Sequence, residues 1–304
     1  MVTNIMYHYI RDPSLKSSSG LNFLSISEFK KQLDLLKKNY KALSVKDYKS
    51  DRRYYINSKE EYYLLTFDDG YKEHGNIVLE ELIKRRMTGI FFIPSSVISG
   101  KYILDVNMIH LILSKSNNNI LTSELEDILK RHKKEYSAYV SLRNKYVCQS
   151  RYDDKETSFL KSILQSSFSS NFRRFILDSL WDIFMSESQN DIAKKLYLNN
   201  EDVETMLRHD MVIGGHGSDH VHLSKVSSKK QQSEINASSL FLDTLSKNKE
   251  HPKCFSYPYG SYNNFTLKLL IDQEYDLSFT TNPVRDNLAH SDLEIPRLDT
   301  NDLQ

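Results

Sequence analysis

Cysteine is scarce. The chain has 304 residues and two cysteines, Cys148 and Cys254, too far apart to form a C-x-x-C ligand pair. They read as two reduced thiols. Long apolar runs are missing as well. None approaches the ~20 residues of a membrane span. The opening residues, Met1 to His8, carry neither a basic n-region nor an apolar h-region, so no secretory leader is expected and a cytoplasmic location is. An excess of one charge is also missing. Lys plus Arg is 41 and Asp plus Glu is 40, for a net charge of +1. No global field favours nucleic acid or an anionic membrane. There is no internal repeat or low-complexity tract, and no feature specifies an oligomeric state.

What is present alternates. Ile5 to Ile10 reads as a first buried strand. Ser25 and Glu28 form a capping box, followed by Phe29, Leu33, Leu36 and Tyr40 at helical spacing. Tyr62 to Phe67 is a strand, Gly75 to Arg86 a helix, and Gly89 to Ile93 a strand closed by Pro94. This alternation argues for parallel strands with crossover helices. The pattern changes between Lys101 and Leu198, which is helix-leaning, free of proline and holds the single tryptophan, Trp181. The chain therefore reads as one domain over residues 1–304, with a helix-rich insertion at 101–198. A structureless loop of that length is implausible in a compact domain. Alternation resumes with a helix opened by Asn199 and Asp202, then a strand over Met211 to Gly215. A helix over Ser228 to Leu245, a strand from Cys254, a helix over Asn264 to Asp272 and a strand over Leu277 to Thr281 follow.

Two stretches carry chemistry. Thr66-Phe67-Asp68-Asp69-Gly70 puts adjacent carboxylates at a strand's end. Gly215-His216-Gly217-Ser218-Asp219-His220 puts two histidines four apart at another. A catalytic zinc takes three protein ligands and keeps one position open. Asp69, His216 and His220 can supply them, the histidines converging if they share a helical turn. Zinc suits these donors, and nickel, cobalt or manganese also fit. Such a metal lowers the pKa of its water toward ~7. Asp68 remains as the base that takes the water's proton. Asp219 reads as a turn carboxylate and His222 as a bystander.

These residues resemble the polysaccharide deacetylase family, also called NodB-homology or carbohydrate esterase family four. Asp68-Asp69 looks like its first motif and His216 to His220 its second, with Gly217 where Ser or Thr is usual. Met6-Tyr7-His8 is similar to the opening strand of many bacterial members. The resemblance implies a distorted (β/α) barrel and a metal-dependent hydrolase that removes N-acetyl, or O-acetyl, groups from a sugar or glycan. Asp68 would be its base, with Asp69, His216 and His220 on one divalent ion. Phe255 to Gly260 looks like the third motif, which implies that the Tyr259 backbone N–H holds the oxyanion. Many members have an arginine there to pair with the base. This chain has Ser256 and Tyr257 instead, which makes Arg297 the candidate. No Leu-x-His motif supplies the usual general acid, so His290 and His8 are the candidates. Two other readings stay open: hydrolysis of a non-sugar amide or imide, and a glycan-binding protein without turnover.

Overall fold

The computed structural model describes residues 1–14, 21–145, 153–245, 250–286 and 289–303, so Cys148 lies outside the described residues. Two compact units are present. One is built from Met1–Leu15, Asn22–Tyr102 and Ala193–Gln304; the other contains Ile103–Ile192.

The first unit is organised by a sheet whose strand pairs are all parallel. In chain order the strands are β1 (Val2–Tyr7), β2 (Ile10–Arg11), β3 (Leu24–Ser25), β4 (Lys41–Ala42), β5 (Tyr62–Phe67), β6 (Gly89–Ile93), β7 (Val212–Gly215), β8 (Cys254–Ser256), β9 (Leu277–Phe279) and β10 (Leu298–Asp299). The spatial order is β10-β1-β5-β6-β7-β8-β9, with β4 beside β5; β2 and β3 form a separate pair. Strands buried on both faces read as unbroken apolar runs, which is why the expected bounds of β5 and β6 match the observed ones. The strand expected over Ile5 to Ile10 is instead two. It breaks at His8, whose carbonyl meets the His74 ring (Nε2···O 2.9 Å) and leaves the ladder.

The sheet curls. Ile295 bridges to Phe279 at one end of the strand order, and Leu298 pairs with Ile5 at the other. Residues 295–298 thus join the two edges, giving a sheet of the distorted (β/α)-barrel type. Alternation along each strand sends Val2, Leu64, Ile90, Phe92, Val212, Cys254, Leu277, Phe279 and Ile295 into one buried cluster. The residues of opposite parity meet the helices: Phe29 packs edge-on against Tyr7 and Phe67, and Phe67 stacks on Phe91.

The helices of the first half are α1 (Ile26–Asn39), α2 (Val45–Ser50), α3 (Arg52–Asn57) and α4 (Leu79–Arg85). Ser25 and Glu28 close the expected capping box on α1. A π-helical stretch, His74–Val78, leads into α4. The second unit is helical: α5 (Asp105–Lys115), α6 (Asn118–Lys130), α7 (Lys133–Lys145), α8 (Lys155–Ser166) and α9 (Ser170–Phe184). Its own core holds Ile109, Leu125, Leu160, Ile176, Leu177 and Leu180, all fully buried. Helix α10 (Gln189–Leu196) ends the segment. Then follow α11 (Asn200–Arg208), opened by an Asn199–Asp202 capping box, α12 (Ser228–Asp243) and α13 (Asn264–Asp272). Among the described residues, no helix is long and apolar enough to cross a membrane.

Candidate active site at the strand ends

Parallel strands bring their C-terminal ends to one rim. The inward parity that fills the barrel core continues past those ends into polar side chains. Leu64 leads to Thr66 and Asp68; Val212 leads to Gly214 and His216; Cys254 leads to Ser256; Ile295 leads to Arg297. The polar rim is therefore the top layer of the same alternation.

Arg297 and Asp68 form its buried core. Arg297 is 0% exposed and Asp68 2%. The guanidinium grips both carboxylate oxygens, Nη1 to Oδ1 and Nη2 to Oδ2, each at 2.7 Å. Its other N–H groups donate to Thr66 Oγ1 (3.1 Å), Ser256 Oγ (2.8 Å) and the Thr280 carbonyl (3.0 Å). All five guanidinium donors thus have an acceptor. Ser256 Oγ adds a 3.2 Å bond to Asp68. Burial alone pushes the Asp68 carboxyl up, but Arg297, with His216 and His8 nearby, overcomes it and holds it at about 2. His8, half-exposed, reaches within 4.0 Å of Asp68 Oδ2 through Nε2.

Asp69 faces the histidines. His220 Nε2 lies 3.2 Å and His216 Nε2 3.5 Å from Asp69 Oδ1. One ligand atom from each of the three residues fits within a 4.8 Å cluster. His216 Nδ1 donates to the Ser256 carbonyl at 2.7 Å, leaving Nε2 as the free acceptor. Tyr71 donates to the other Asp69 oxygen, Oδ2, at 2.6 Å. Burial and the neighbouring Asp69 push the Tyr71 phenol well above its ordinary value, so it is a permanent donor. Burial also raises the Asp69 carboxyl, yet His220 and His216 hold it well below the usual carboxylate range. The two imidazoles differ. Burial depresses His220; in His216 the neighbouring Asp69 and Asp68 carboxylates outweigh burial and raise it.

These residues suit a divalent cation. Asp69 Oδ1 is buried with no hydrogen-bond donor, and it faces two imidazole nitrogens. One carboxylate and two imidazoles are the donor set of a catalytic zinc site. The orienting bonds behind them, Tyr71 to Asp69 and His216 to Ser256, are of the kind that fix metal ligands.

The convergence of the histidines does not come from a helical turn, as their spacing suggested. Residues 216–220 are a loop. Positive φ at Gly217 (70°) and His220 (52°) folds it back on itself. Among the described residues, six other than glycine have positive φ: Asp69, Arg86, Asp210, His220, Tyr259 and Glu274. Arg86, Asp210 and Glu274 sit just past the ends of α4, α11 and α13, where left-handed caps are ordinary. Asp69, His220 and Tyr259 have no helix end to explain them and all lie at the site, where backbone strain concentrates.

Tyr259 sits on this rim, its ring 4.6 Å from that of His220. His222 is not part of the Asp69 cluster. Its ring stacks on Tyr259 at 3.9 Å. Asp219 is a turn residue paired with Lys230 at 2.7 Å. His290 lies 3.4 Å from Asp286 and lines a cavity of about 400 Å³ together with Gly260, Thr280, Thr281 and Glu294. Tyr71 was not anticipated. The signal was its place directly after Asp-Asp-Gly, where a phenol can turn back onto the carboxylates.

The polysaccharide deacetylase family model matches residues 56–278. The chain belongs to the polysaccharide deacetylase family. Over 92 residues it is 33% identical to YxkH of Bacillus subtilis (strain 168), whose name places it among the polysaccharide deacetylases. That match spans 30% of this chain and 32% of YxkH, about a third of the relative's length. Solved structures share the fold along almost the whole chain. The Streptococcus pyogenes deacetylase PplD, in complex with acetate, superposes with a TM-score of 0.58 at 17% identity, over 98% of this chain and 91% of PplD. IcaB from Ammonifex degensii gives 0.56 at 15%, over 98% and 91%. A de-N-acetylase from Aggregatibacter actinomycetemcomitans gives 0.56 at 12%, over 98% and 94%.

Proposed function

We propose that this polysaccharide deacetylase family member is a metal-dependent hydrolase that removes N-acetyl groups, or O-acetyl groups, from an acetylated sugar or glycan. The observation that carries this reading is a buried, arginine-clamped carboxylate, Asp68, directly beside the cluster of Asp69, His216 and His220. Those three residues would hold one divalent cation, zinc by their chemistry. When bound, it would polarise the acyl oxygen and acidify an adjacent water.

Asp68 is the base. Its carboxylate is ionised throughout the neutral range, held at about 2, and Arg297 fixes its orientation so that no reorganisation is needed as it accepts the proton. The Tyr259 N–H is the proposed donor to the acyl oxygen as charge gathers there. Breaking the C–N bond needs a proton for the leaving amine. His8 is the better-placed acid, 4.0 Å from Asp68 and partly open to solvent. His290 is engaged with Asp286 instead. Acetate and a free amine are the products.

The test is acetate release from zinc-loaded protein on N-acetylglucosamine oligomers and O-acetylated sugars. Asp68→Asn should lower the rate by about 10²–10⁴-fold and His8→Ala should slow amide cleavage more than ester cleavage, since an alkoxide leaves with less help. Acetate release unaffected by Asp68→Asn would remove the base from this mechanism.

A further inference from the structure

The histidine loop is held from behind by a residue outside every motif described above. Glu234, on α12, is 0% exposed. Its Oε2 accepts two consecutive backbone N–H groups, those of Ser218 and Asp219, each at 2.8 Å. Lys230, one turn earlier on the helix, places Nζ 2.8 Å from Glu234 Oε1 and 2.7 Å from Asp219 Oδ2. Carboxylate and ammonium together thus tie α12 to the short loop between His216 and His220. The contact is close-fitting: a Cβ on Gly217 would stand 2.9 Å from Glu234 Oε2, and Gly217 already needs φ +70°. A loop folded back by left-handed residues has little intrinsic preference for that shape. Two charge-assisted bonds to its middle amides supply one.

We infer that Glu234, neutralised by Lys230, is a positioning residue: it presets the 217–220 loop so that the His216 and His220 rings face Asp69 before any metal arrives. The inference rests on the metal reading proposed above and extends it to a residue that touches neither metal nor substrate. Its consequence is measurable as metal affinity, because ligands that must be ordered on binding hold a metal less tightly.

Glu234→Gln keeps the shape but sets an amide N–H₂ against either the two backbone donors or the Lys230 ammonium. Two measurements decide. Zinc affinity, read by competition with a chromophoric chelator, should fall about 10-fold or more, as for other residues that orient metal ligands. In metal-free protein, hydrogen exchange of a peptide spanning residues 214–222 should accelerate while exchange in β5 and β6 does not. A folded Glu234→Gln protein that binds zinc as wild type does overturns the positioning role and leaves the metal reading intact. Faster exchange in that peptide from a wild type that takes up no zinc supports loop presetting and overturns the metal reading. Exchange that rises throughout the barrel marks Glu234 as a general packing element and overturns the inference. Should Glu234→Gln fail to fold, Lys230→Met decides. It leaves Glu234 buried without its counter-ion and Asp219 without Lys230, so exchange of the 214–222 peptide should accelerate and zinc affinity drop several-fold; Glu234→Asp, which draws the carboxylate back from both amides, should do the same, and no change in either variant overturns the inference.

Discussion

At the scale of single residues, two bonds separate a reactive site from a bundle of polar groups. Arg297 uses a planar fork, which an ammonium cannot copy. Arg297→Lys should therefore cut kcat by roughly 10²-fold or more, with KM nearly unchanged. The acid limb of the rate–pH profile should also move upward, because an ammonium keeps the charge but not the two-oxygen grip that helps hold Asp68 at about 2. A profile that keeps its acid limb would show that Arg297 does not set the state of Asp68. Tyr71→Phe deletes the 2.6 Å bond to Asp69 and the hydroxyl's contact with Tyr9. Zinc affinity should fall about 10-fold, and stability by about 1–3 kcal/mol, since a buried carboxylate oxygen is left without its donor, both checked by titration and urea melts. The acid and imidazole pairs were legible because each lies within five residues of sequence. Arg297 was legible only as a candidate, since its partner is 229 residues away. Glu234 left a fainter trace: a charge on the face of α12 that also carries Ile235, Ser238 and Leu242, all buried.

At the scale of elements, local signals and tertiary ones part company. The capping box at Ser25 and the helix start at Asn199 are written in nearby residues and appear where expected, the latter also closing as a capping box. Helices α2 and α3 were not foreseen, since sequences such as Arg52-Arg53-Tyr54-Tyr55 show no clean period. The two-residue strands β4 and β10 are too short for any periodic signal and exist because β5 and β1 offer them edges. Strand β7 illustrates how tightly elements fit. A Cβ on Gly215 would lie 2.1 Å from Ser238 Oγ of α12 and 3.1 Å from the Phe255 ring. Gly215→Ala should cost about 1–3 kcal/mol by overpacking. An unchanged urea midpoint would show that α12 can move away freely.

At the scale of the whole molecule, acid sensitivity has a source apart from the site. His74 is fully buried among Phe67, Tyr71 and Phe91, and burial lowers its pKa despite Glu73 and the bond to the His8 carbonyl. The unfolded chain binds that proton near pH 6.5 and the folded one only at lower pH. The neutral ring therefore contributes its full stability above about 6.5, and the contribution is lost as pH falls from there through the folded value. The melting temperature of metal-free protein should drop between pH 7.5 and 5, and His74→Gln should flatten that slope; parallel slopes would exclude His74 as its origin. The closure of the barrel has a consequence of its own. The seam at residues 295–298 carries Arg297, and the Asn4 side chain bonds the Pro296 carbonyl across 292 positions of sequence. Until that seam docks, Asp68 lacks its cation; in the closed fold, breaking such a buried pair costs about 3–5 kcal/mol. Asp68 and Arg297 thus act as a clasp: the ion pair proposed to prepare the chemistry also disfavours an unclosed barrel, so the proposed base would be set only as the fold is completed.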